Sequence, residues 1–406
     1  MLSESELSAR LLDLAAPNTH LDEAVCFLGG GVADHYVPAV VDAVAARAGS
    51  MAIGPDAPQP WLQAVFELQA LFASLTALEA ASAPFADGPT AFAEAIRMAA
   101  RATGRREALV ARSASPDYRA IAQTRLAGPS LVLREAGYHG GVSRPDEVER
   151  LLSDQTACLV VDQPNFFGCL EDLPTLVAAA HRHGALLIVR VDPISLGILA
   201  PPGQVGADIA VADAQPLGSR PACGGSIGLL AARAGLAAEL PGWRVERMGD
   251  AAFQAAAKCQ QDAGGTFHPV RAEQVVRPIA YLAALGADGL RDAAALCTRG
   301  AHETQRRICG IEGFSPRFRA PFFKEFVVEA DHDPEKVAEA LLESNILGAL
   351  PLQRLYPEME GCLLFAVTER RTRADVDLLC HALSLLAGGD WEREGVGGDE
   401  EEEESL

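Results

Sequence analysis

The stretch Ala157-Cys158-Leu159-Val160-Val161-Asp162-Gln163-Pro164-Asn165-Phe166-Phe167-Gly168 sets five apolar residues against a polar turn. A second run of the same kind, Leu186 to Val191, closes on Asp192-Pro193. Short continuous apolar strands of this sort are buried on both faces. Working outward, further apolar runs occupy Ala108 to Ala111, Ser130 to Leu133, Ile209 to Ala212 and Ile227 to Ala231. Helical patterns separate them at Asp117 to Leu126, Pro145 to Leu152 and Leu173 to His183. This alternation predicts an α/β fold with a mostly parallel sheet, whose ligand site lies at the carboxyl ends of the strands.

The flanks differ. On the N-terminal side an amphipathic helix, Glu4 to Leu14, ends at Pro17, and Phe27-Leu28-Gly29-Gly30-Gly31 forms a flexible turn before a helix at Val37 to Ala48. Pro55, Pro58 and Pro60 oppose regular structure. Leu62, Val65, Phe66, Phe72, Leu75 and Leu78 recur at helical spacing and predict a helix from Trp61 to Ala81. Beyond Gly289 the pattern becomes helix (Leu290 to Ile308), strand (Phe322 to Val328), helix (Pro334 to Ser344), apolar run (Cys362 to Thr368) and helix (Arg373 to Leu386). That order predicts a small C-terminal α+β domain. The expected division is therefore an N-terminal helical arm and Pro-rich loop at 1–60, a large domain at 61–289, the small domain at 290–387 and an acidic tail at 388–406.

Composition narrows the function. Of 406 residues 49% are apolar, enough for a large core, and no apolar run reaches the roughly 18 residues of a membrane span. The polar, acidic start lacks the pattern of a secretory signal, and nine scattered cysteines without a C-x-x-C pair fit a reducing cytoplasm. A net charge of -21 opposes nucleic acid and anionic membranes as partners. From Gly388 onward nine acids stand against Arg393 alone, a composition expected to be disordered.

Four segments could carry chemistry. Asp87-Gly88-Pro89-Thr90 opens a helix, where N–H groups and the Thr90 hydroxyl could meet a phosphate, although Pro89 has no N–H and an ordinary Asp cap explains the segment equally well. Asn165, after a buried strand, is placed to face a ligand. Asp192 ends the next strand, where an enzyme using pyridoxal phosphate (PLP) keeps the carboxylate that partners the ring nitrogen. One strand later, in Asp213-Ala214-Gln215-Pro216-Leu217-Gly218, the place of the imine-forming lysine falls on Pro216. The chain has only three lysines, Lys258, Lys324 and Lys336, and none lies in that segment. Two rivals are weaker. Gly224-Gly225-Ser226-Ile227-Gly228 matches a nucleophile elbow but runs straight into an apolar strand, and His181-x-His183 ends a helix where cations are favoured. No metal site is expected.

Taken together, these residues resemble the first subunit of the split P-protein of the glycine cleavage system, glycine dehydrogenase (decarboxylating). The resemblance runs from about Ala24 to Leu386 and rests on Phe27-Leu28-Gly29-Gly30-Gly31-Val32, Leu62-Gln63-Ala64-Val65-Phe66-Glu67-Leu68-Gln69, Gln163-Pro164-Asn165-Phe166-Phe167-Gly168, Asp192-Pro193-Ile194-Ser195-Leu196-Gly197 and Phe365-Ala366-Val367-Thr368-Glu369. It implies a fold-type-I PLP-dependent transferase architecture. It further implies that the cofactor lysine and PLP belong to a second subunit, in a heterodimer or heterotetramer, and that glycine is decarboxylated and its aminomethyl group passed to the lipoylated H-protein. On this resemblance Thr90, Asn165 and Asp192 line the shared cofactor pocket, with Pro216 at the lysine position. Ala52 to Pro60, Pro89 and Gly265-Thr266-Phe267-His268 depart from the family pattern. The alternative is a catalytically degenerate scaffold, or a partner subunit for a different amino acid.

Overall fold

The computed structural model describes residues 2–388 apart from 19–20, 22, 32, 129–130, 222–225, 250–251 and 258–268. The acidic tail beyond Gly388, Lys258, His268 and the glycines Gly224 and Gly225 lie outside the described residues.

A seven-stranded sheet forms the centre, in the order Ala80–Ala81, Gly228–Ala232, Ile209–Asp213, Leu186–Val191, Thr156–Gln163, Glu107–Ala111, Val132–Ala136. The five strands from Ile209–Asp213 to Val132–Ala136 are parallel, and Gly228–Ala232 runs antiparallel to both its neighbours. Side chains alternate across each strand, so Leu159, Val161, Leu187 and Val189 enter one core while Cys158, Val160, Leu186 and Ile188 enter the other. The first core is covered by the Gln59–Thr76 and Leu173–Arg182 helices through Leu62, Val65, Phe72 and Leu176. The second is covered by Phe92, Ile96 and Met98 of the Gly88–Thr103 helix with Tyr118 and Ala122 of Pro116–Arg125. Each large apolar side chain so buried stabilises the sheet by roughly 1.5–3 kcal/mol. This two-sided cover accounts for the continuous apolar runs.

Element boundaries shift where local geometry overrides pattern. The helix expected to reach Ala81 stops at Thr76, because Ala77 adopts a left-handed conformation (φ 54°). Pro60 lies in the first turn of that helix, a position that tolerates proline, so the proline-rich segment ends in regular structure. The strand expected at Ser130 to Leu133 is Val132–Ala136, and the one expected from Phe322 begins at Glu325. Phe322 stacks instead on His302, with ring centroids 3.9 Å apart, and Phe323 packs with Val41, Ile194 and Tyr281. The helix read from Leu290 is the second half of Ala272–Ile308, interrupted at Gly286 (φ 62°, ψ -172°).

The C-terminal part holds a four-stranded antiparallel sheet, Phe314–Pro316, Glu325–Ala330, Cys362–Ala366, Leu350–Pro351. Its core of Phe326, Val328, Leu363 and Phe365 packs on Ala301, Ile308, Leu379 and Leu383, and it also takes in Phe27. The reason is a pairing absent from the sequence reading: Val25–Phe27 runs parallel to Ile346–Gly348, tying the N-terminal segment to the C-terminal part. No helix among the described residues is long and apolar enough to cross a membrane, and the seven cysteines described are free thiols.

The two sheets meet at Gly168. Its φ is +80°, and a Cβ there would stand 1.8 Å from the Glu325 carbonyl oxygen, while its own carbonyl accepts from Phe323 N at 3.1 Å. Gly168→Ala therefore forces the turn off the Glu325 strand. We expect it to lower stability by roughly 3 kcal/mol or more, read as a drop in the urea midpoint, whereas Ala substitution of Gly235, which has open space at its Cβ, leaves the midpoint nearly unchanged.

Candidate functional site

A cavity of about 460 Å³ opens at the carboxyl ends of the central strands. Pro164 and Asn165 follow one strand, Asp192 and Pro193 the next, and Asp213, Gln215 and Pro216 the third; Pro89 and Gly30 close it from the helix and the glycine turn. Asn165, Asp192 and Pro216 thus come together as the strand pattern predicts. Thr90 is buried beside them but is not part of the cavity wall.

Asp192 is engaged on both oxygens. Oδ1 accepts from Ile194 N at 2.9 Å, a turn-capping contact, and Oδ2 lies 2.5 Å from Lys324 Nζ. Lys324 comes from just before the interior Glu325–Ala330 strand of the C-terminal sheet and was not assigned to the site from sequence. Its ammonium also contacts His35 Nε2 at 2.8 Å. With Nε2 accepting, His35 Nδ1 donates to Glu369 Oε2 at 2.7 Å, and the Cys297 thiol donates to the same oxygen at 3.2 Å. Burial works against the Lys324 ammonium, but the charges of Asp192 and Glu325 outweigh it and hold the group above the ordinary lysine range. Burial likewise opposes the Asp192 carboxylate, and Lys324 overcomes it, leaving Asp192 below its usual value. Both shifts favour the charged pair, in which the buried Lys324 ammonium is partnered by the half-buried Asp192 carboxylate.

At the other end of the cavity the helix N-terminus is already occupied. Thr90 N donates to Asp87 Oδ1 at 2.6 Å, Gly88 N donates to Asp213 Oδ2 at 3.3 Å, and Pro89 has no N–H to offer. Burial lifts Asp213 above the ordinary carboxyl range. One buried hydroxyl, Thr90 Oγ1, lacks a hydrogen-bond partner. A cofactor phosphate would need those N–H groups and would have to sit against Asp213. PLP therefore does not fit this chain's own cavity: carboxylates fill the anion cradle, Lys324 stands beside Asp192, and Pro216 has no amine.

Asn165 lines the cavity, yet its hydrogen bonds are made within the chain. Nδ2 donates to Gly141 O at 2.7 Å and Glu171 Oε1 at 2.8 Å, and Oδ1 accepts from Phe167 N and Cys169 N, both at 3.1 Å. It pins the turn after the Thr156–Gln163 strand. Arg190, another residue that sequence reading left unassigned, lies 4.5 Å over the Tyr118 ring with Nη2 2.6 Å from Asp162 Oδ2, which also accepts from Ser115 N at 2.8 Å. The strand-end carboxylate Asp162 hinted at such a cation, but nothing in the spacing pointed to the tyrosine.

The rivals resolve by geometry. Ser226 leads into the Gly228–Ala232 strand, with no helix behind it, so the nucleophile-elbow requirement of strand, turn and helix is unmet. His181 has a carboxylate partner where only a helix-end role was expected: Nε2 lies 2.8 Å from Asp208 Oδ2, which also binds Leu187 N at 2.7 Å. Set against the expectation of no metal site, His35, Cys297 and Glu369 gather their ligand atoms within 4.8 Å. The Lys324 ammonium on the same imidazole opposes a dication there.

Glu369 gives the site a pH signature. Burial acts to raise its carboxyl, but the His35 ring and the Tyr36 N–H outweigh it and hold it down to about 2. A carboxyl depressed in the folded state contributes stability above its unfolded pKa of 4.5 and loses that contribution as pH falls toward 2. Denaturant titrations between about pH 5 and 2 should show Glu369→Gln losing less stability than the parent, by on the order of 3 kcal/mol.

Comparison with known proteins places this geometry. The family model described as glycine cleavage system P-protein matches residues 1–261. A protein of Desulforamulus reducens named probable glycine dehydrogenase (decarboxylating) subunit 1 is 37% identical over 402 residues, covering 95% of this chain and 90% of that protein. One of the same name from Carboxydothermus hydrogenoformans is 39% identical over 404 residues, covering 96% and 90%. A crystal structure of glycine decarboxylase (P-protein) of the glycine cleavage system, in inhibitor-bound form, superposes with TM-score 0.84 at 37% identity, covering 95% of this chain and 90% of that one. A sphingosine-1-phosphate lyase from Burkholderia pseudomallei, 15% identical with TM-score 0.73 over 97% and 93% of the chains, shares the fold. With a family model over well over half its length and subunit 1 relatives along nearly all of it, the chain belongs to the glycine cleavage system P-protein family, in its subunit 1 branch.

Proposed function

We propose that this chain is the subunit of a split glycine decarboxylase that carries no cofactor lysine and completes its site against a second, lysine-bearing subunit. One observation carries the reading. A chain matched over 95% of its length by proteins named subunit 1 keeps the strand-end cavity but lines it with Pro216. PLP bound on the second subunit supplies the electron sink for decarboxylation. The residual aminomethyl group of glycine then passes to the lipoyl arm of an H-protein.

What this chain contributes is a rigid wall. Asn165 fixes the turn over Gly141 and Glu171, Arg190 is held over the Tyr118 ring and paired with Asp162, and the Asp192 turn is capped at Ile194 N. Such preformed groups position a substrate and exclude water without reorganising during reaction. The altered segments Ala52 to Pro60 and Pro89 bear on the second reading, a scaffold subunit or one serving a different amino acid.

The test is reconstitution. Glycine/bicarbonate exchange should be absent with either subunit alone and should rise at least about 100-fold on mixing both with PLP and lipoylated H-protein. A complex that assembles on size exclusion yet exchanges no glycine would replace this reading with the scaffold. Exchange by the second subunit alone, unchanged on adding this chain, would remove it altogether.

A further inference from the structure

A half-buried carboxylate at a strand end is stabilised by a positive partner, and for Asp192 that partner is built into the chain. Lys324 is 4% exposed, with Nζ 2.5 Å from Asp192 Oδ2 and 2.8 Å from His35 Nε2. The neighbouring charges are committed elsewhere: Glu325 Oε1 accepts from Gly30 N at 2.7 Å and Arg190 is paired with Asp162. A protonated ring nitrogen and an ammonium each carry one positive charge and can donate an N–H to a carboxylate oxygen, so only one can occupy the place beside Asp192 Oδ2. Stripped of its ammonium, Asp192 would keep a half-buried negative charge close to Glu325. A cation of the right size then becomes the natural occupant.

We propose that Lys324 is an internal counter-ion that holds the ring-nitrogen place beside Asp192 and so keeps this chain's own cavity closed to pyridine cofactors. The proposal rests on reading Asp192 as the carboxylate that faces a ring nitrogen in this fold. It goes beyond the missing amine at Pro216, because it states that a lysine elsewhere in the chain has replaced the cofactor's cationic nitrogen and not its imine partner. Lys324 is thus a positioning and excluding residue; the Asp192 contact, the His35 contact and the Glu369 and Cys297 contacts behind them form one continuous chain.

The experiment uses the isolated chain, without a second subunit, so its outcome is independent of glycine turnover. Two probes are added: methylammonium, which replaces only the charge, and pyridoxine, which has the ring nitrogen but neither aldehyde nor phosphate. It therefore avoids both imine formation and the filled phosphate cradle. The wild-type chain should melt at the same temperature with or without either probe. Lys324→Ala should melt about 5 °C or more lower, recover on adding methylammonium, and bind pyridoxine at least tenfold more tightly than wild type by calorimetry. The double variant Asp192→Asn/Lys324→Ala removes both charges, and it should fold without a probe and respond to neither. If Lys324→Ala is recovered folded only in methylammonium, the counter-ion role stands. Pyridoxine binding to wild type as tight as to Lys324→Ala would overturn the proposal, as would a Lys324→Ala chain indifferent to both probes or a double variant that responds as the single one does.

Discussion

The ion pair between Asp192 and the buried Lys324 is the contact on which the arrangement of the site depends. It joins the carboxyl end of the central sheet to the start of an interior strand of the C-terminal sheet, and through His35 and Glu369 it draws in the N-terminal segment. Asp34, next to His35, reinforces that closure with Arg370 Nη1 at 2.5 Å and Arg371 Nη2 at 2.9 Å, while its carbonyl accepts from Thr368 Oγ1 at 2.6 Å. Replacing a buried pair with apolar residues is often neutral, but removing one partner costs about 3–5 kcal/mol, because the other charge is left unpartnered. The pair therefore contributes little net attraction and strongly restricts how the segments can sit.

That constraint underlies the proposal that this cavity is closed to PLP although the chain shares its fold with a glycine decarboxylase structure. Three adjacent strands of the parallel five deliver Asn165, Asp192 and Pro216 to one end of the sheet. Where an anion would be cradled, Asp87 and Asp213 already accept the helix N–H groups; where a ring nitrogen would sit, an ammonium already donates. A site filled by its own side chains stays preorganised without a ligand, which suits the proposed role of completing a site against a second subunit.

The sheet and its helices were legible in the sequence because the central strands are buried on both faces and so read as unbroken apolar runs, whereas the edge strand Val132–Ala136, only partly buried, was read two residues early. The strand-end rule also placed Asn165 and Asp192 at the cavity. What could not be read was the far partner of each. Lys324 lies between the aromatic pair Phe322-Phe323 and, after Glu325, the apolar run Phe326 to Val328, and its neighbourhood gives no sign that it turns inward toward a strand end in another part of the chain. Val25–Phe27 is too short to show alternation, and its pairing with Ile346–Gly348 depends on the whole fold. Asn165 was legible as a strand-end polar residue, but its bonds to Gly141 and Glu171 exist only once two turns meet, so sequence could not separate a ligand-facing amide from a turn-pinning one.

The proposal that this chain shapes a PLP site without holding the cofactor is tested directly by borohydride reduction of the chain assembled with its second subunit and PLP, followed by peptide mass spectrometry. One pyridoxyl group is expected on a lysine of the second subunit and none on Lys258, Lys324 or Lys336. A stoichiometric pyridoxyl adduct on any of those three lysines would contradict it.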